Sequence, residues 1–272
     1  MAENGILPEF ERIRTRLVGR VLVATLDRPA ARNAIDVVLR REFRELLAAL
    51  TNQRAIGAMV LTGAGDAFCA GGDVGMMTGF IQSDWRDRAR NLEHGLLTLR
   101  DLLSVQQPVI AAVNGPATGL GATIAMACDL IVMADTATLA DTHVNVGIVA
   151  GDGGTLLWPA AMSTVQAKQY LLTGQKMTAA DAERFGVVNE VVPVADVVDR
   201  AVEIARGLAA GPRFAIEWTK HAINMRLIRD LYEQMPLSLA LEAATFEQPD
   251  LAEGIRSFRE RRPAAWPSVA PE

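Results

Sequence analysis

From Val21 to about Val192, short runs of β-forming residues alternate with helical patterns, and glycine-rich turns mark the joins. Strands separated by helices imply an α/β core in which the turns at the strand ends carry the chemistry. Arg20–Leu26 (RVLVATL) reads as a strand. Asp36 is placed to cap a helix whose apolar residues Leu39, Phe43, Leu46, Leu47 and Leu50 form one buried face. Ala58–Thr62 reads as a second strand, and Gly63–Asp73 as a glycine-rich turn. Pro108–Val113 reads as a buried strand, followed by a glycine turn, an apolar helix through Cys128 and a strand at Leu130–Met133. After Ser163 the pattern turns mainly helical. Thr178 and Asp181 form a helix start, Gly186 a stop, and long helical patterns run over Ala195–Ala210 and Arg213–Phe246, the second interrupted at Pro236. The expected division is a core over residues 1–200 and a helical region over residues 201–272.

Half of the 272 residues are hydrophobic and few of those are aromatic, which is enough for a sizeable core. The formal charge of −5 argues against nucleic acid as a partner, because phosphate binding needs a basic surface. The two cysteines, Cys69 and Cys128, lie in apolar surroundings and form no disulfide framework, so a reducing cytoplasm is expected. The start lacks a basic region followed by an apolar one, and the longest apolar stretch, Leu120–Ala134, is broken by Asp129. A soluble chain with no metal and no membrane partner follows as the expectation.

Two glycine motifs carry the chemical signal. In Cys69-Ala70-Gly71-Gly72-Asp73, paired glycines allow positive φ and close approach of a ligand to backbone, or simply an ordinary turn. Gly119-Leu120-Gly121 opens an apolar helix, whose first N–H groups suit an anionic oxygen; tight helix–strand packing is the plainer reading.

LDRPAARNAID (Leu26–Asp36), VLTGAGDAFCAGGDV (Val60–Val74), PVIAAVNGPATGLGA (Pro108–Ala122) and FGVVNEVVP (Phe185–Pro193) occur in this order. In order and spacing they resemble the crotonase (enoyl-CoA hydratase/isomerase) superfamily over nearly the whole chain. The resemblance implies a spiral of ββα units, a C-terminal helical region used in trimerisation (a trimer or a dimer of trimers) and an acyl-CoA substrate, with CoA present only as part of the thioester. It places oxyanion-hole N–H donors at Gly72 and Leu120, each typically worth about 3 kcal/mol in the transition state. It also implies that backbone around Ala70 and Gly72 holds the CoA adenine and that Arg28 meets phosphate; by itself Arg28 reads equally well as a solvated loop residue. The lysine frequent after the second motif has no counterpart, since Val74, Gly75 and Met76 follow Asp73.

The family's two hydratase glutamates fall at Thr123 and His143. A threonine hydroxyl is no general base near neutral pH, so the paired-carboxylate mechanism does not carry over. A histidine titrates there, and a carboxylate nine residues on, Asp152, could fix its tautomer; Asp152 could equally be a turn or helix-capping residue in GDGG. The segment Ala140–Pro159, with Tyr170–Gln175 and Leu237–Ala244, is similar to 6-oxocamphor hydrolase, a crotonase relative that cleaves a carbon–carbon bond of a cyclic β-diketone without CoA. That similarity implies a His143–Asp152 dyad and Glu242 as a site carboxylate; from helical spacing alone Glu242 sits on a solvated face. A further histidine of that hydrolase falls at Leu120. His94 and His221 read as solvated, and Trp158, Trp218 and Met126 as core. Three functions follow: an acyl-CoA lyase or isomerase, a carbon–carbon hydrolase, and a non-catalytic binding scaffold.

Overall fold

The computed structural model describes residues 7–269 apart from 74, 77, 78 and 80–82. A six-stranded sheet takes the order β1 (Ile13–Val18), β2 (Val21–Leu26), β3 (Ala58–Gly63), β4 (Val109–Val113), β6 (Leu130–Ala134), β9 (Glu190–Val192). β1 pairs antiparallel with β2, and every other neighbour is parallel. A second sheet joins β5 (Ala117–Thr118), β7 (Thr138–Ala140) and β8 (Met177–Thr178). The central parallel strands β4 (VIAAV) and β6 (LIVMA) are apolar throughout because both faces are covered. Alternate residues serve two cores: Leu22, Ala24, Met59, Leu61, Ala111 and Met133 on one face, Val21, Val23, Ala58, Val60, Ile110 and Val132 on the other.

The α-helices bounded among the described residues are α1 (Val37–Thr51), α2 (Trp85–Ser104), α3 (Leu120–Met126), α4 (Gly154–Ala161), α5 (Thr164–Thr173), α6 (Ala179–Arg184), α7 (Val197–Ala210), α8 (Arg213–Thr245) and α9 (Pro249–Glu260). Asp36 caps α1 by accepting the Leu39 N–H at 2.8 Å, and Leu39, Phe43, Leu46, Leu47 and Leu50 are all buried. Thr178 caps α6 through the Asp181 N–H, and Gly186 has φ 72° just beyond it.

The expected division near residue 200 falls within α7, which packs Val197, Ala201, Val202 and Ala205 onto the second face of the sheet. Two expectations are corrected. α8 runs 33 residues without a break, with Pro236 inside it. Trp158 is fully buried, but Trp218 is 68% exposed. The helix pattern locates α8, but not which of its faces the rest of the chain covers.

Candidate active site

The site is assembled where three chain segments cross. After β3, buried Asn33 donates through Nδ2 to the Ala64 and Ala67 carbonyls at 2.9 and 2.8 Å and accepts the Arg28 N–H, tying the RP loop to the glycine-rich turn. The chain then runs extended. The Cys69 carbonyl accepts the Thr118 N–H at 2.9 Å on one side; on the other, Ile35 donates to the Gly71 carbonyl at 2.7 Å and accepts the Asp73 N–H. In such a parallel bridge the bonds go to the residues flanking Gly72, so its own N–H points away from Ile35. Gly71 has φ 89°, and a Cβ there would meet the Thr118 carbonyl at 2.6 Å and stand 3.5 Å from the Leu120 nitrogen. Only glycine lets these two strands of backbone touch.

α3 starts on the other side of that contact. Its first hydrogen bond with a carbonyl outside the helix is Thr123 N–H to the Gly119 carbonyl at 3.0 Å. The Leu120 N–H has no protein acceptor among the described residues, nor does that of Gly72. Gly119, at φ 52°, also leaves room for a side chain: its missing Cβ would lie 3.6 Å from His143 Cε1. The imidazole therefore stands beside the turn that presents the Leu120 N–H.

His143 is 6% exposed and both ring nitrogens meet carboxylates. Nδ1 is 2.7 Å from Asp141 Oδ1, and Nε2 is 3.3 Å from Asp152 Oδ2. Burial disfavours the imidazolium, but Asp152 and Asp141 outweigh it and hold the pKa well above the ordinary histidine value. Burial pushes the Asp141 pKa up, while the His143 charge and hydrogen bonds more than reverse this and leave it lowered. From α8, Glu242 closes the other side. It is 5% exposed, and a Cβ on Gly151 would strike its Oε2 at 2.5 Å. Burial, then the Asp152 charge, push its carboxyl up to about 8. Glu242 is thus a buried member of the cluster and not part of a solvated face. α8 is held there by Ser238 Oγ to Thr155 Oγ1 at 2.9 Å and by Thr245 Oγ1, which accepts the Val149 N–H.

Thr123 is fully buried, and a Cβ on Gly153 would meet its Cγ2 at 2.7 Å, which puts it against the same loop. Thr123 Oγ1, Asp141 Oδ2, Asp152 Oδ1 and Glu242 Oε2 are buried and have no protein hydrogen-bond partner. Unpaired buried polar atoms are costly, and the three carboxylate oxygens around one imidazole point to a polar ligand or water.

Arg28 is 17% exposed and is neither solvated nor free: it pairs with Asp73 at 3.2 Å and Asp36 at 3.4 Å, strapping the motif's aspartate to the α1 cap. Ala70 is exposed, its N–H bonded to the Arg32 carbonyl at 2.9 Å. His221 is exposed. His94 is half-buried in an arginine-lined surface groove of about 720 Å³ between α1 and α2, to which none of the cluster residues contributes. Asp141, two residues before His143, is a site residue that nothing in the sequence singles out: Thr142, with ψ 13°, bends the chain into the 3-10 turn that starts at His143 and so brings the two side chains together.

With this geometry in view, the comparisons with known proteins decide the family. The enoyl-CoA hydratase/isomerase family model matches residues 18–269. The chain belongs to the enoyl-CoA hydratase/isomerase family. It is 34% identical over 259 residues to a probable enoyl-CoA hydratase of Rhizobium meliloti, covering 94% of this chain and 98% of that one. It is 33% identical over 239 residues to the mitochondrial enoyl-CoA hydratase of Pongo abelii, covering 88% and 81%. A crystal structure of an enoyl-CoA hydratase/isomerase from Mycobacterium paratuberculosis superposes with a TM-score of 0.85 at 35% identity, over 92% of this chain and 99% of that one. The α/β core with its C-terminal helical region is therefore the crotonase fold. Among the described residues no helix is long and apolar enough to cross a membrane.

Proposed function

We propose that this family member acts on an acyl-CoA through an enolate whose oxygen is held by the Gly72 and Leu120 N–H groups, with His143 moving the proton. The observation that carries the reading is the placement of the His143 ring beside Gly119, at the mouth of a helix whose Leu120 N–H has no acceptor. A thioester oxygen accepting the two N–H groups would gain negative charge as the α-carbon reacts, and preorganised donors stabilise that charge where it forms. His143 Nε2, with Asp152 beside it, would carry the proton to or from carbon. CoA would lie along Ala70 and Gly72. No cofactor beyond the CoA of the thioester is needed, and we assign the enzyme to the cytoplasm as a homotrimer or dimer of trimers. Arg28 reaches a phosphate only by giving up part of its hold on Asp73 and Asp36.

The unpaired oxygens of Asp152 and Glu242 beside His143 favour one rival, carbon–carbon hydrolysis of a cyclic β-diketone, because they are acceptors able to hold a water. In that reaction water adds to one carbonyl, the carbon–carbon bond breaks, and the same N–H pair holds the enolate formed. A panel of enoyl-CoA thioesters against cyclic β-diketones, read by mass spectrometry of the products, separates the two. Turnover of thioesters supports the proposal, and turnover of diketones alone replaces it. Tight acyl-CoA binding with no turnover would favour a binding scaffold.

A further inference from the structure

We propose that Asp141 is the positioning residue for His143: it fixes the proton on Nδ1, so that Nε2, facing Asp152, is the nitrogen that exchanges protons during the reaction. This rests on the reading of His143 as the proton carrier and assigns the two neighbouring carboxylates different tasks. The geometry separates them. Asp141 is completely buried, and its Oδ1 is 2.7 Å from Nδ1 and 3.3 Å from the His143 backbone N–H. One oxygen thus grips both ends of the residue. Its Oδ2 is wedged against the Cα of Gly154, at the start of α4, where any Cβ would overlap it. Fully buried and held between Gly154 and the imidazole, Asp141 has little room to swing.

Asp152 is placed otherwise. Its contact with Nε2 is longer, 3.3 Å, and its side chain is 15% exposed, although each carboxylate keeps one oxygen without a protein partner. Asp152 belongs to the loop leading into α4, which lies against α2 and α8: a Cβ on Gly95 of α2 would stand 3.9 Å from its own Cβ, and Glu242 of α8 lies against the adjoining Gly151. A carboxylate held firmly on one ring nitrogen dictates the tautomer, and the other nitrogen is then left to work. The two anions also explain why the buried ring favours its charged form, with Glu242 facing the cluster from α8 as its protonated neighbour.

The test uses the intact protein and needs no substrate. The chain has three histidines, His94, His143 and His221, so ring-labelled histidine resolves few signals, and loss of one in His143→Gln assigns it. Above its own titration the neutral His143 of the wild type should carry its proton on Nδ1, and a ¹⁵N spectrum showing Nδ1 unprotonated overturns the proposal. Asp141→Asn should lower the His143 titration by a unit or more, whereas Asp152→Asn should leave the Nδ1–H signature in place. An unchanged titration in Asp141→Asn is equally fatal. If that variant does not fold, the wild-type spectrum still decides.

With a turned-over substrate, Asp141→Asn should cut kcat by about 10²-fold or more with little change in KM, as expected for a misassigned tautomer, and should move the limb of the pH–kcat profile set by His143. Asp141→Glu should restore part of the rate. Full activity in His143→Gln would remove the proposed function and leave the Nδ1 assignment standing, so the two failures are distinguishable.

Discussion

At the scale of single residues, the site joins groups whose partners are one another. Removing His143 deletes the group that would carry the proton, and a general acid–base is typically worth about 10²–10⁴-fold. His143→Gln is therefore expected to lower kcat by that order with KM nearly unchanged. Asp152→Asn should also slow turnover, but little further once His143 is gone, because the two stand 3.3 Å apart and act as one unit. Equal effects of Asp152→Asn in both backgrounds would refute the coupling. Thr123, fully buried at a position where the sequence resemblance implies a hydratase glutamate, gives a second expectation: crotonyl-CoA hydration far slower than by a two-glutamate hydratase. A spectrophotometric assay showing ordinary hydratase turnover would refute it. His143 and Asp152 were legible in the sequence because they interrupt a recognisable motif. Asp141 and the burial of Glu242 were not. A hydrogen bond across two residues looks like any polar doublet, and the exposure of a helical glutamate depends on what packs against it.

At the scale of elements, the glycine turn into α3 is the decisive piece. Its strand, its helix and the turn between them were readable from alternation and glycine placement. The close approach of Gly71 to Leu120 was not, since it joins residues far apart in the chain. β5, β7 and β8, of two or three residues each, also escaped, being too short to show a period. Leu120 is the first residue of α3, and proline is tolerated there because that N–H has no helical acceptor. Leu120→Pro thus removes one N–H with little cost to the helix. If that N–H holds the reacting oxygen, kcat should fall about 10²–10³-fold while the melting temperature changes by only a few degrees. A rate equal to that of Leu120→Ala would count against an oxyanion role.

At the scale of the whole molecule, two expectations concern how the chain lives in solution. The first is the pH dependence of stability. The folded-state pKa of Glu242, about 8, exceeds its ordinary 4.5, so between those values the folded chain keeps a proton that the unfolded chain has released, and stability falls as pH rises. His143 acts in the same direction at higher pH: its contribution is complete below 6.5 and is lost as pH climbs through the raised folded value. Asp141, lowered from 3.8, adds stability above that value and loses it in acid. The melting temperature should therefore decline from pH 6 to 9, and Glu242→Gln should flatten the decline up to about pH 8. Parallel wild-type and variant curves in a thermal-shift series would refute the assignment.

The second is assembly. On α8, Phe214, Trp218, Met225 and Tyr232 recur at spacings of four and seven residues, which puts them on one face, and all four are exposed, Trp218 at 68%. The Phe214 and Trp218 rings lie 5.3 Å apart, so they form a single apolar knob rather than scattered surface residues. A knob of this kind on the long helix is unfavourable in water and becomes favourable when a second copy covers it, which also explains why a tryptophan read as core lies outside this chain's own core. We expect light scattering at micromolar concentration to give the mass of three or six chains, and Trp218→Glu to lower it without unfolding the α/β core, whose two clusters do not include Trp218. A wild-type mass of one chain would remove this explanation. If the wild type is oligomeric and Trp218→Glu leaves its mass unchanged, the contact lies elsewhere on the molecule.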